Sequence, residues 1–338
     1  MGTQKCLAPK MGWIFRGAYI LIIFVSMSCA TTAAIKSPLP EMSTLESAIQ
    51  KIKQNSPEIE KYYLLDETGS LVVRGKTESF EALYDLKNAQ VSAGNYLVPF
   101  TVRSLKTGAV QEDILLWKPQ KDGTGILLSL DDHFFEVWER YFDLFDRYNA
   151  RITFFVLGTN SSFSAKAMKR GHDVGYHSLQ HLELTRISRQ SFYTETISQV
   201  ENFRNAGVPL VSFAYPFGFY ESWMNKELLK TYRILRGFNT SFQAYSKTDI
   251  MQNGFVFSRS VDNTLFKRDD DFMTTIDVML RTIKFTGRDL ILPLTSHNIS
   301  DTDDWGIKPR RLEYILQTAS DLQLQFYRYR DIISSKDD

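Results

Sequence analysis

Residues 127–138 read LLSLDDHFFEVW. The stretch opens as a buried strand would, then sets Asp131, Asp132 and His133 side by side before turning hydrophobic again. Two adjacent carboxylates at the edge of a core cost stability unless something offsets their charge. A metal ion is the usual remedy. Just downstream, Phe134, Trp138, Phe142 and Phe145 recur at spacings of three and four, the stripe of an amphipathic helix. The stretch is therefore a strand, a polar strand end and a helix in succession.

The same succession repeats toward the C-terminus. RITFFVL, HDVGY, LVSFA, ILRGF, FVFSR and LILPLT read as strands, with LQFYRY closing the series. Between them helices are expected over 161–170, 189–206 up to Gly207, 221–230, 271–285 and 309–322. Seven or eight βα units imply an α/β fold in which the strands form a parallel barrel.

On that frame Asp131 and Asp132 follow the first strand, His177 follows HDVGY, and Tyr215 and Pro216 follow LVSFA. Arg259 ends FVFSR and His297 follows LILPLT. In a βα barrel the loops at the C-terminal strand ends converge over one mouth, and that mouth carries the active site. Each residue alone has a bland explanation; the convergence is the argument. His177 and His181 in HSLQH form an H-x-x-x-H pair that chance also produces. Joined by a carboxylate from another strand end, two imidazoles one turn apart make a three-ligand site with an open position, the arrangement of catalytic zinc. His172, at the start of a strand, reads as a surface or packed histidine. His133 reads either as a contact to a ligand or substrate or as the cap of the helix that follows it.

SLDDH, HSLQH, FAYPFG and LTSHN, in that order and at these separations, resemble the polysaccharide deacetylase family, also called the NodB-homology domain or carbohydrate esterase family 4. The resemblance covers roughly residues 120–332. It implies a distorted (β/α)7-8 barrel, a divalent metal, and hydrolysis of N- or O-acetyl groups on an acetylated carbohydrate polymer. Asp132, His177 and His181 would hold the metal, with Asp131 as general base and His297 as the general acid for the departing amine or alkoxide. Zinc is the expected ion, with cobalt, nickel and manganese as alternatives. Tyr215, Pro216 and Phe217 would form the substrate or oxyanion wall, with a backbone N–H at Phe217. The physics agrees with the division of the aspartates: a metal-bound water has its pKa pulled toward ~7, and a neighbouring carboxylate that does not coordinate can take its proton.

Departures accompany the matches. Ser129, Leu130 and His133 stand where the family has Thr, Phe and Gly, and Ala214 stands where an arginine usually orients the base. Arg259 is the candidate substitute, with a structural salt bridge as the alternative. Asp262 is the nearest carboxylate after that strand, and Trp305 would line the groove beyond His297. Two other readings share these residues: a non-catalytic glycan-binding surface lipoprotein, and a metal-dependent hydrolase of another amide or ester.

Upstream of the barrel region, 118–338, the runs YYLLDETGSLVVRG, GNYLVPFTVRS and EDILLWKP with their Gly-containing turns read as a small β-rich module, 58–117, of unreadable role. Residues 35–57 read as a polar tether and 1–34 as an export segment, with Arg16 ahead of eight apolar residues from Ala18 to Val25. That run is too short for a membrane-spanning helix, which needs roughly 20 apolar residues. VSMSC resembles a lipoprotein processing site, which would lipidate Cys29 and anchor an exported protein to a membrane; cleavage near Ala30 or Ala34 is the alternative. Cys6 and Cys29 are the only cysteines of the 338 residues, so the region beyond the tether has neither a disulfide nor a thiolate ligand. Forty basic against 39 acidic residues leave a net charge of +1, which gives nucleic acid no electrostatic footprint.

Overall fold

The computed structural model describes residues 45–54, 80–286 and 289–333, together with the strand segments 21–22, 64–65 and 70–74. Apart from Leu21–Ile22, the export segment, Cys29 and the stretch up to 44 lie outside the described residues. The chain divides into two compact units, with the boundary between Pro119 and Gln120.

The first unit is an antiparallel sheet. Its central strand, Asn95–Ser104, pairs with Phe80–Asp85, Gln90–Ser92 and Val110–Trp117. Tyr96, Val98, Phe100 and Val102 alternate as buried positions along it, the period expected when one face of a sheet is covered. The helix Leu45–Lys53 packs against this strand and Val110–Trp117, burying Ala48, Ile49 and Ile52, and Lys53 pairs with Asp113 at 2.7 Å. Part of the stretch read as a tether is thus a helix of this unit. Its three buried residues share one helix side, although the segment as a whole is polar.

The second unit is the barrel. Its parallel strands are β1 Gly125–Asp132, β2 Thr153–Val156, β3 Asp173–Tyr176, β4 Ser212–Ala214, β5 Ile234–Asn239, β6 Phe255–Ser260 and β7 Leu290–Ser296. Each pairs with the next, and β7 closes on β1 through Ile291–Ser296 against Gly125–Leu130. The ring therefore has seven strands. LQFYRY adds only Gln325–Phe326, which pairs with Gly125–Ile126 outside the ring. Strands β2, β3 and β4 are buried at every position, because helices cover the outside while side chains fill the inside. Leu127, Phe155, Ala214, Ile234, Val256 and Ile291 form the inner core, with Tyr329 and Ile332 of the C-terminal helix packed into it.

Two expected helices are broken. The stripe after His133 divides at Tyr141 into Phe135–Arg140 and Phe142–Arg147. The helix expected over 189–206 divides into Arg189–Thr196 and Val200–Asn205. There the Thr196 hydroxyl donates to the Phe192 carbonyl at 2.7 Å and the Ser198 hydroxyl to that of Thr194, local bonds that bend or end a helix. Among the described residues no helix is long and apolar enough to cross a membrane.

Candidate active site

In a regular strand neighbouring side chains point to opposite faces. Asp131 keeps the inward direction of Leu127 and Ser129. Asp132 has a left-handed backbone, φ 89°, which breaks the alternation at the strand end and lets both carboxylates serve the same mouth.

Asp132 Oδ1 is buried without a hydrogen-bond partner and lies 3.5 Å from the Nε2 atoms of both His177 and His181. One donor atom from each of the three residues falls within 4.8 Å of the others. The chemistry of the set fits a divalent ion: two imidazoles, one carboxylate and an orphaned oxygen aimed between them. His177 Nδ1 lies 2.9 Å from the Ala214 carbonyl, to which it donates, so its Nε2 lone pair faces the site. Burial pushes the His177 imidazolium down to about 4, against the opposing charges of Asp131 and Asp132. Burial likewise lowers His181. Both rings are therefore neutral at pH 7, as ligands must be.

Asp131 is 2% exposed, and its Oδ2 is ion-paired to the Nη2 of Arg236, itself 2% exposed. Burial alone would raise this carboxyl. The Arg236 charge, with His177 and His297, outweighs that and holds Asp131 below the usual carboxylate range. The guanidinium also sits over the Phe155 ring, 5.1 Å from its centroid. Arg236 is thus the cation paired with Asp131, and it stands on β5 directly across the register from Ala214 on β4. Arg259 does not fill that role. It has the strand parity of Phe255 and Phe257, opposite to the interior Val256, and donates instead to the Thr240 carbonyl. A signal for Arg236 existed in ILRGF, where a single cation interrupts an apolar strand and must find a carboxylate.

Just after β7, His297 Nδ1 lies 3.2 Å from Asp262 Oδ1. Asp262 is fully buried and also accepts from the hydroxyls of Ser296 at 2.6 Å and Ser260 at 2.7 Å. Burial opposes a charge on His297, but Asp262, then Asp131 and Asp132, raise its pKa to about 9. The backbone carbonyl of His297 accepts from Trp138 Nε1 at 2.9 Å, which ties the loop to the first helix. Trp305 is 61% exposed beside the His297 ring, 6.3 Å between centroids.

The third motif is mostly wall. Tyr215 is buried, with its N–H given to the Arg236 carbonyl and its hydroxyl to Asn225 Oδ1, and Pro216 is buried beside it. Phe217 is the exposed member, with φ 57° and its ring 4.5 Å from that of His181. His133 is exposed and stacks on Phe134; it is not the helix cap, a position that Phe134 occupies. His172 is packed, 1% exposed between Phe142, Phe145 and Phe154, with its pKa driven to about 3 by burial.

Residues 118–233 match the polysaccharide deacetylase family. A bifunctional xylanase/deacetylase of Pseudobutyrivibrio xylanivorans is 26% identical over 170 residues, covering 45% of this chain. The match spans 27% of that relative's length. Among solved structures, a chitin deacetylase of Colletotrichum lindemuthianum superposes with a TM-score of 0.43 at 15% identity, over 64% of this chain and 89% of that one. A peptidoglycan deacetylase of Bacillus subtilis superposes at 0.41 and 18% identity, over 62% and 91%.

Proposed function

We propose that this chain, which carries a polysaccharide deacetylase domain, removes acetyl groups, N-acetyl foremost, from a carbohydrate polymer in a metal-dependent hydrolysis. One observation carries the reading: the company that the Asp132, His177 and His181 triad keeps. Within its electrostatic reach stand a carboxylate held ionised by Arg236 and an imidazole held protonated by Asp262. A base and an acid with pKa values pushed apart are what amide hydrolysis asks for.

A divalent ion on the triad would supply Lewis acidity, making a water acidic near pH 7 and polarising the acetyl carbonyl. Zinc suits imidazole and carboxylate donors without a thiolate. Asp131 takes the proton of the attacking water on Oδ1, which has no partner, while Oδ2 stays with Arg236. His297 has Nδ1 engaged by Asp262, so Nε2 delivers its proton to the sugar nitrogen as the carbon–nitrogen bond breaks. The products are acetate and the free amine, or the alcohol where the acetyl is an ester.

The test is acetate release from N-acetylated chito-oligosaccharides, peptidoglycan and acetylated xylan, with chelated protein and zinc-restored protein alongside. Release that stops with chelator and returns with zinc supports the reading. No release from any of them overturns it in favour of a glycan-binding role. The same proposal places the protein outside the cytoplasm, held by lipid on Cys29, a reading supported by Arg16, the apolar run and VSMSC. Cys29→Ser should release it in soluble form; wild-type protein already soluble, with an N-terminus near Ala30 or Ala34, would contradict the anchor.

A further inference from the structure

Between the two histidines of HSLQH the backbone is held in an unusual way. Ser178 and His181 both have left-handed backbones, φ 75° and 57°, which non-glycine residues adopt only where the surroundings enforce them. The three consecutive N–H groups of this turn are all taken by side-chain oxygens. Leu179 donates to Glu195 Oε2 at 3.2 Å, Gln180 donates to the same oxygen at 2.8 Å, and His181 donates to Ser178 Oγ at 3.0 Å. Successive N–H groups turned to one side form a concavity that binds an anion, and here the anion is the carboxylate of Glu195.

Glu195 comes from the helix Arg189–Thr196, is 3% exposed, and has no ion-pair partner among the described residues. A carboxylate buried without a cation is costly unless hydrogen bonds to N–H groups offset it. The loop is the only such compensation that Glu195 has among the described residues. The dependence therefore runs both ways: the turn satisfies the carboxylate, and the carboxylate fixes the turn.

We infer that Glu195 is the positioning residue for His181: its carboxylate, seated in the 179–180 N–H groups, preorganises the turn so that His181 Nε2 meets Asp132 and His177 at a divalent ion. The inference rests on the metal site of the proposed function. Without the anchor, His181 has to be ordered by the ion at the moment of binding, and affinity falls by the cost of that ordering. Residues that support metal ligands from behind cost ~10- to 100-fold in affinity when removed.

The test measures zinc affinity by competition with a chromophoric chelator, beside the thermal melting of the metal-free protein. Glu195→Ala should weaken zinc ~10- to 100-fold, and added formate, a carboxylate small enough for the vacated concavity, should restore part of it. Glu195→Gln keeps an acceptor oxygen without the charge, so it should fold and fall between wild type and the alanine variant. It also serves as the probe if Glu195→Ala does not fold. Wild-type zinc affinity in a folded Glu195 variant, or a lowered melting temperature with unchanged affinity, would overturn the assignment and leave the metal site standing. Absence of zinc binding by the wild type would overturn both.

Discussion

Two aspartate pairs sit at the strand ends of the barrel, and their partners differ in kind. Asp131 on β1 is paired with Arg236 on β5, while Asp262 after β6 is paired with His297 after β7. All four residues are largely buried, and each carboxylate has one cationic partner. The difference lies in which partner can lose a proton. A guanidinium cannot, so Arg236 holds Asp131 ionised, the state that the proposed general base needs. An imidazole can, so Asp262 raises the pKa of His297 to about 9, which suits the proton donor of the proposed reaction. In the proposed reaction the same residue type would thus serve as a base or back an acid according to its neighbour.

The harshest test of this contrast is Asp131→Asn, which should keep the zinc yet lower turnover ~10²- to 10⁴-fold, as loss of a general base does. Asp132→Asn should lose zinc and turnover together. Equal metal loss in the two variants, by elemental analysis, would show the roles to be shared.

Arg236→Met should destabilise the protein by ~3–5 kcal/mol in denaturant melts, because it leaves Asp131 buried and unpaired. Asp131→Asn added to it should recover part of that loss. If Arg259→Met cost as much and Arg236→Met cost nothing, the base-orienting role would be misplaced.

His297→Ala should slow amide substrates by about 10²-fold or more while sparing activated aryl acetates, whose leaving groups need no proton. An equal loss on both substrate types would make His297 an orienting residue and break the symmetry with Asp131.

The smallest effect is on stability in chelated protein. His297 has a folded-state pKa of about 9 against an ordinary 6.5, so the folded protein binds its proton more tightly than the unfolded chain. The stabilisation is fully present below about pH 6.5 and disappears as pH rises through about 9. The gap in melting temperature between wild type and His297→Gln should close over that window. A gap independent of pH would mean that His297 is neutral in the folded state.

Local pattern carried much of this. Each βα unit announces itself within a few residues, because strand and helix periods and polar strand ends are local properties, whereas the two imidazoles of HSLQH, expected one helical turn apart, are brought together by a non-helical turn with left-handed Ser178 and His181. The placement of polar residues at strand ends was legible for the same reason: topology sends all such ends to one mouth. Legibility failed where a choice depended on one residue of parity or on partners far apart in sequence. Arg259 and Arg236 both sit in apolar strands, but only Arg236 faces inward, where Asp131 lies 105 positions away along the chain. The helix over 45–53 was hidden because its apolar residues amount to one narrow stripe in a polar segment, which becomes a buried face only when a sheet is there to receive it. Glu195 gave no signal at all: a glutamate in a helix is ordinary, and its meaning comes from the N–H groups of a loop folded against it. The sequence by itself determined the barrel and the order of its chemical groups, since periodicity and spacing act over a turn or a strand. The tertiary structure decided which charges meet, since a buried ion pair is set by strand register and parity, and a shift of one residue turns a side chain to the opposite face.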